Sequence, residues 1–62
     1  MNNNEIISDI QVIKNQLKLH LDQLYILADA IQDTNLPEQS KNSVEEAYSL
    51  LRKVTLKLSE IK

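Results

Sequence analysis

The stretch that decides the fold is residues 6–31, IISDIQVIKNQLKLHLDQLYILADAI, in which apolar residues recur every seven positions. One row contains Ile10, Leu17, Leu24 and Ile31, and the row beside it contains Ile6, Ile13, His20 and Leu27. Spacings that alternate between four and three keep both rows on one side of an α-helix. The pattern predicts a helix over about residues 4–33. Its start is expected among Asn2, Asn3 and Asn4, which all suit an N-cap, and Asn2 with Glu5 three residues later resembles a capping box.

A second heptad pattern follows in the last third of the chain and predicts a second helix over about residues 37–61. Its rows are Val44, Leu51 and Leu58, and Ala47, Val54 and Ile61. Pro37 cannot continue the first helix, but it suits the first turn of the second helix. The turn is therefore predicted at residues 34–36, where Asn35 suits a left-handed conformation and, with Glu38, a helix cap.

Folding the chain back at this turn brings the two apolar sides together. Leu27 is then expected opposite Val44, and Ile10 opposite Ile61, as the packing of antiparallel helices requires. The absence of Gly and the scarcity of aromatic residues also favour helices over sheets. The predicted fold is all-α, a single domain over residues 1–62 built as an antiparallel two-helix hairpin.

A chain of 62 residues buries little surface, and chains of this size usually rely on disulfides, a metal or oligomerisation. There is no Cys and only one His, so we expect no disulfide, no metal and no cofactor. Self-association remains, and we expect the hairpins to pair as homodimers with a four-helix core. The residues predicted for that core are Ile10, Ile13, Leu17, His20, Leu24, Leu51, Val54 and Leu58.

The net charge of −2 is unevenly distributed. Residues 22–49, which include the turn, sum to −5, and the rest of the chain sums to +3. An antiparallel arrangement of two hairpins sets the acidic end of one against the basic end of the other. Exposed ion pairs contribute only ~0.2–1 kcal/mol each, so they select the orientation and burial of Leu and Ile holds the dimer.

The chain also has more apolar surface than one hairpin can cover. Val12, Leu19 and Ile26 form a further row, about 100° around the first helix from the row of Ile13. These residues either fill the four-helix bundle or bind another protein. The residues predicted to bind a partner are Val12, Leu19, Tyr25, Ile26 and Leu56, with Tyr25 included because exposed Tyr is favoured at binding sites.

His20 is the only polar residue in the two heptad rows of the first helix. One interpretation is a core histidine whose hydrogen bond is satisfied, for example by His20 of a second copy, and which fixes the register. The other is a pH-sensitive switch, because charging a buried imidazole is unfavourable. The sequence does not decide between them.

No catalytic motif is present, since the chain has no Gly for a phosphate loop and no Cys. We therefore expect no enzyme activity. No apolar run has the ~18 residues of a membrane span, and the start lacks the features of a signal peptide, so a cytoplasmic protein without a membrane role is expected. The richness in Asn, Ile and Lys is typical of an AT-rich genome, bacterial or phage.

The short length and the heptad rows led by Ile10 and Val44 resemble those of the small plasmid RNA-binding hairpin proteins typified by Rop. That resemblance implies a dimeric four-helix bundle and RNA binding. The residues available to contact phosphates are Lys14, Lys18, Arg52, Lys53 and Lys57. The main prediction is a small protein-interaction module that acts as a regulator, adaptor or inhibitor. An RNA-binding dimer and a structural subunit of a larger assembly are the alternatives.

Overall fold

A computed structural model describes residues 2–61, so Met1 and Lys62, the ends of the predicted domain, lie outside the described residues. Helix α1 spans Asn3–Ala30 and continues into a 3₁₀ turn, Ile31–Asp33; helix α2 spans Glu38–Leu58. The described chain has no strand, and its two helices form a hairpin 50 Å long and about 15 Å across. The prediction of an all-helical fold with two helices is confirmed.

The start of α1 follows from its cap. The backbone N–H of Glu5 donates to the side-chain oxygen of Asn2 at 2.8 Å, as the capping pattern predicts. This bond satisfies one of the N–H groups that the first helical turn cannot pair internally. The carboxylate of Glu5 also lies at the positive end of the helix dipole.

The turn differs from the prediction. No described residue has a positive φ, so the left-handed conformation expected at Asn35 is wrong. Thr34 ends the helical segment in an extended conformation instead, and its hydroxyl donates to the carbonyl of Ile31 at 2.7 Å. The N–H of Leu36 donates to the same hydroxyl at 3.3 Å. Pro37, not Asn35, is the N-cap residue of α2, and no side chain caps that helix.

Half-buried residues mark the seam between the helices, and Ile31 is the only fully buried residue among those described, at 7% exposed. In α1 the half-buried residues are Ile10, Lys14, Leu17, Leu21, Leu24 and Ala28. In α2 they are Lys41, Val44, Tyr48, Leu51, Thr55 and Leu58. The rows led by Ile10 and Val44 are thus the seam rows predicted. The second row predicted for each helix does not line the seam of the single hairpin, where Ile13, His20 and Val54 are exposed; their place in a four-helix core stays a prediction.

Two lysines explain how a less apolar row can line the seam. The ammonium of Lys14 donates to the carbonyl of Ile61 at 3.2 Å, and that of Lys41 donates to the carbonyl of Gln32 at 3.4 Å. Their aliphatic stems cover the seam while the charged ends remain at its edge. The carbonyl of Ile61 therefore lies within reach of the Lys14 side chain.

The hairpin buries little of its surface. The chain exposes 5124 Å², whereas a compact protein of 7.1 kDa exposes about 4,100 Å². Its radius of gyration is 15.0 Å, compared with about 11 Å for a compact chain of this length. A single hairpin consequently has a seam but almost no enclosed core.

Candidate interaction surfaces

An apolar surface without charged residues runs along one side of the hairpin. We call it the uncharged face, and it consists of Ile6, Ile13, His20, Leu27, Ala47, Val54 and Ile61. Ile13 follows the seam residue Ile10 by three positions, and Val54 follows Leu51 by three. In two antiparallel helices, residues that lie at the same angle around their helix axes from the seam rows are on the same side of the hairpin. The large aliphatic residues of this face are 38–49% exposed.

The opposite side of the hairpin is polar and carries the contacts between the helices. The side-chain amide of Gln32 donates to the carboxylate of Glu45 at 3.1 Å. The rings of Tyr25 and Tyr48 meet in a tilted arrangement with centroids 5.8 Å apart. On that side, therefore, polar and aromatic groups are paired with each other within the chain.

A second apolar surface lies on the side of α1 that faces away from α2. We call Val12, Leu19 and Ile26 the outer row. Leu19 is two residues from Leu17 and two from Leu21, which places it about 200° of rotation from each of these seam residues. Its side chain is 58% exposed, and that of Ile26 is 67% exposed. Three large aliphatic residues at heptad spacing thus form a ridge with no contact to α2.

The predicted partner-binding residues do not form one surface. Only Val12, Leu19 and Ile26 lie together; Tyr25 is 63% exposed but stacks against Tyr48 on the polar side. Leu56, 57% exposed, belongs to α2 and lines a shallow groove on that same side. The sequence shows the heptad spacing of the outer row, but it does not show on which side of the hairpin an isolated residue such as Tyr25 or Leu56 lies.

The groove has a volume of about 300 Å³ and lies near the open end of the hairpin. Its lining residues are Gln11, Lys14, Asn15, Lys18, Leu21, Thr55, Leu56 and Ser59. It brings together two of the five basic residues considered for nucleic-acid binding, Lys14 and Lys18. Lys57 is instead paired with Glu60 at 3.2 Å on the surface. The groove therefore holds two of the five cations, and Lys57 has its own acidic partner outside it.

His20 is exposed on the uncharged face and is level with the middle of the hairpin. Its Nδ1 lies 3.0 Å from the side-chain oxygen of Gln23, one helical turn onward. A hydrogen bond there requires the proton on Nδ1, which leaves Nε2 as an acceptor. In the hairpin His20 is thus a surface residue. Its Nδ1 is hydrogen-bonded to Gln23, and its Nε2 has no hydrogen-bond partner among the described residues.

Within residues 2–61, His, Asp and Glu do not cluster in any group of three suited to holding a metal ion. Neither described helix is long and apolar enough to cross a membrane. A comparison of the chain with protein families, with curated proteins and with solved structures found no match.

Proposed function

We propose that the chain is a non-enzymatic protein-interaction module that self-associates into a four-helix bundle and binds another protein through the outer row. The observation that carries the proposal is that a single hairpin fully buries one described residue, Ile31, while two separate apolar surfaces remain exposed. Exposed apolar rows of this extent are typical of surfaces that other proteins cover.

The two surfaces suit two different partners. The uncharged face spans both helices and is broad, which suits pairing with another helical hairpin. The outer row is a single ridge on one helix, spaced seven residues apart, which suits the groove between two helices of a target. Because the ridge points away from α2, pairing through the uncharged face leaves it exposed.

The composition of the outer row favours a protein target. Val12, Leu19 and Ile26 offer neither positive charge nor hydrogen-bond donors for phosphates. They can contribute burial of aliphatic side chains, at about 1.5–3 kcal/mol for each fully buried residue. Three such residues at the centre of an interface are enough to supply its main anchors.

Replacing Leu19 and Ile26 together by lysine is expected to abolish capture of the target and to preserve helix content and self-association. The two lysines would have to be desolvated in an apolar groove, which is strongly unfavourable. The measurement is affinity capture from the native host, followed by binding of the purified target to both proteins. Loss of circular dichroism signal or of the dimer would contradict the proposal, because these residues would then belong to the core.

A matched control places lysines on the neighbouring polar strip of the same helix. Ser8→Lys and Asn15→Lys together add two lysines and the same charge of +2 to α1 without touching the outer row. The captured target should bind this variant with at most a few-fold change in affinity. Equal loss in both variants would show that added positive charge, and not the outer row, governs binding.

Nucleic-acid binding is the second candidate, and the groove that brings Lys14 and Lys18 together is the observation that favours it. Against it, the ammonium of Lys14 already donates to the carbonyl of Ile61, and the chain as a whole is acidic. Binding of RNA that weakens steeply with added salt would favour this candidate over the protein-interaction module.

A further inference from the structure

We infer that the uncharged face is covered by a second copy of the chain, with the two hairpins antiparallel about a two-fold axis that crosses the face along the line from His20 to Val54. This inference rests on the proposed self-association and adds which face, which orientation and which residues meet at the axis. It is independent of whether the outer row binds a target.

The surface area indicates the size of the missing partner. The chain exposes about 1,000 Å² more than a compact protein of its mass. A stable interface of standard size buries about 800 Å² on each partner. One further hairpin laid along the 50 Å length of the uncharged face accounts for this excess.

The choice of seam rows indicates that the uncharged face is an interface. The hairpin lines its own seam with a row that includes Lys14, Ala28 and Thr55. The more apolar rows, which contain Ile6, Ile13 and other aliphatic residues, lie outside the seam. The cores of interfaces are depleted in charged residues, and this face has none. Its only ionisable side chain is His20.

The spacing of residues on the face makes it complementary to itself. Tyr25 contacts Tyr48 across the hairpin, so His20, five residues before the first, is about level with Val54, six residues after the second. On α1, Ile13 and Leu27 lie seven residues either side of His20, and on α2, Ala47 and Ile61 lie seven residues either side of Val54. A two-fold axis across this level therefore sets every residue of the face except Ile6 against a residue of the same face on the second copy.

Two observations select the antiparallel orientation. The acidic residues 22–49 of one copy lie over the basic end of the other, whereas a parallel pair sets like charges together. In the antiparallel pair, His20 meets the partner's His20, and one neutral ring can donate from Nε2 to Nε2 of the other; its Nδ1 then accepts from the Gln23 amide instead of donating to it. In the parallel pair, His20 would meet the partner's Val54, which has no hydrogen-bonding side chain.

Single cysteines test the inference, because the chain has no Cys of its own. We expect His20→Cys and Val54→Cys each to form disulfide-linked dimers under mild oxidation. The thiols meet at the axis, where their effective concentration is high, so cross-linking should be at least ~10-fold faster than for the control Leu19→Cys on the outer row. Sedimentation of the reduced variants shows whether each still forms the native dimer.

Mixed samples of differently tagged chains test the orientation. Ile13→Cys mixed with Leu27→Cys should give the mixed disulfide faster than either gives its own. If His20→Cys mixed with Val54→Cys gives the mixed product faster than the two self-linked products, the dimer is parallel and the inference is wrong. It is also wrong if Leu19→Cys links fastest or if the reduced chains are monomeric. Loss of target capture by the outer-row variant alone leaves this result unchanged.

Discussion

Replacing Ile13 and Val54 together by aspartate is expected to abolish the dimer and, with it, most of the helical structure at micromolar concentration. Each dimer loses four aliphatic side chains from its core, at about 1.5 kcal/mol or more apiece. The dissociation constant should rise by roughly 10⁴-fold or more, because each 1.4 kcal/mol is a factor of ten. Desolvation of the introduced carboxylates increases the loss further. Sedimentation equilibrium and far-ultraviolet circular dichroism measure both effects.

The matched control is Val12→Asp with Ile26→Asp, which makes the same pair of changes on the outer row. Both residues are more exposed than Ile13 and Val54, at 52% and 67%. This control should remain dimeric, with less than a ~10-fold change in dissociation constant, since exposed positions tolerate charge. Dissociation of the control, or a persistent dimer in the first variant, would show that the copies meet on a different face.

Ile31→Ala is expected to have the second-largest effect, lowering the free energy of unfolding by about 2–5 kcal/mol per chain. Ile31 is the one fully buried residue of the described chain, and it lies where α1 ends and the chain begins to reverse. Its carbonyl also accepts a hydrogen bond from the hydroxyl of Thr34, so the position of Ile31 affects the conformation of the turn. Truncation leaves a cavity at the only enclosed site among residues 2–61.

Urea unfolding at a fixed chain concentration measures the effect, because the stability of a dimer depends on concentration. Ile26→Ala is the control, since it deletes the same atoms from a side chain that is 67% exposed. Its free energy of unfolding should change by no more than about 0.5 kcal/mol. Similar losses in the two variants would mean that Ile31 contributes no more than an exposed residue.

The number of helices, the position of the turn and one seam row per helix could be predicted from the sequence, and the other seam row could not. Apolar rows flank Ile10 on both sides, one through Ile13 and one through Leu21. Heptad spacing determines the apolar side of a helix, but it does not determine which neighbour of a central row meets the other helix. Lys14 counts as polar in the pattern, yet its stem packs in the seam while its ammonium binds a carbonyl.

The details of the turn also depend on more than residue preferences. Asn35 is well suited to a left-handed conformation, but the next two residues are Leu36 and Pro37. A residue before proline avoids the helical region, so the chain leaves the turn extended. Thr34 then ends the first segment through its own hydroxyl, a local bond that competes with the predicted cap.

Only some of the residues predicted to bind a partner lie together on one surface. The outer row repeats at exact heptad spacing, so the sequence alone places its three residues together. Ile13, His20 and Val54 were expected in a four-helix core, and the structure places them on the uncharged face of the hairpin.

The measurement that tests the central claim most directly is sedimentation equilibrium combined with circular dichroism over a dilution series. The central claim is that one hairpin does not bury enough surface to be stable alone. We predict a species of twice the chain mass at high concentration, with helix content and melting temperature that both fall as the protein is diluted. A species of 7.1 kDa that keeps its helix content and melts cooperatively at an unchanged temperature on dilution would contradict it.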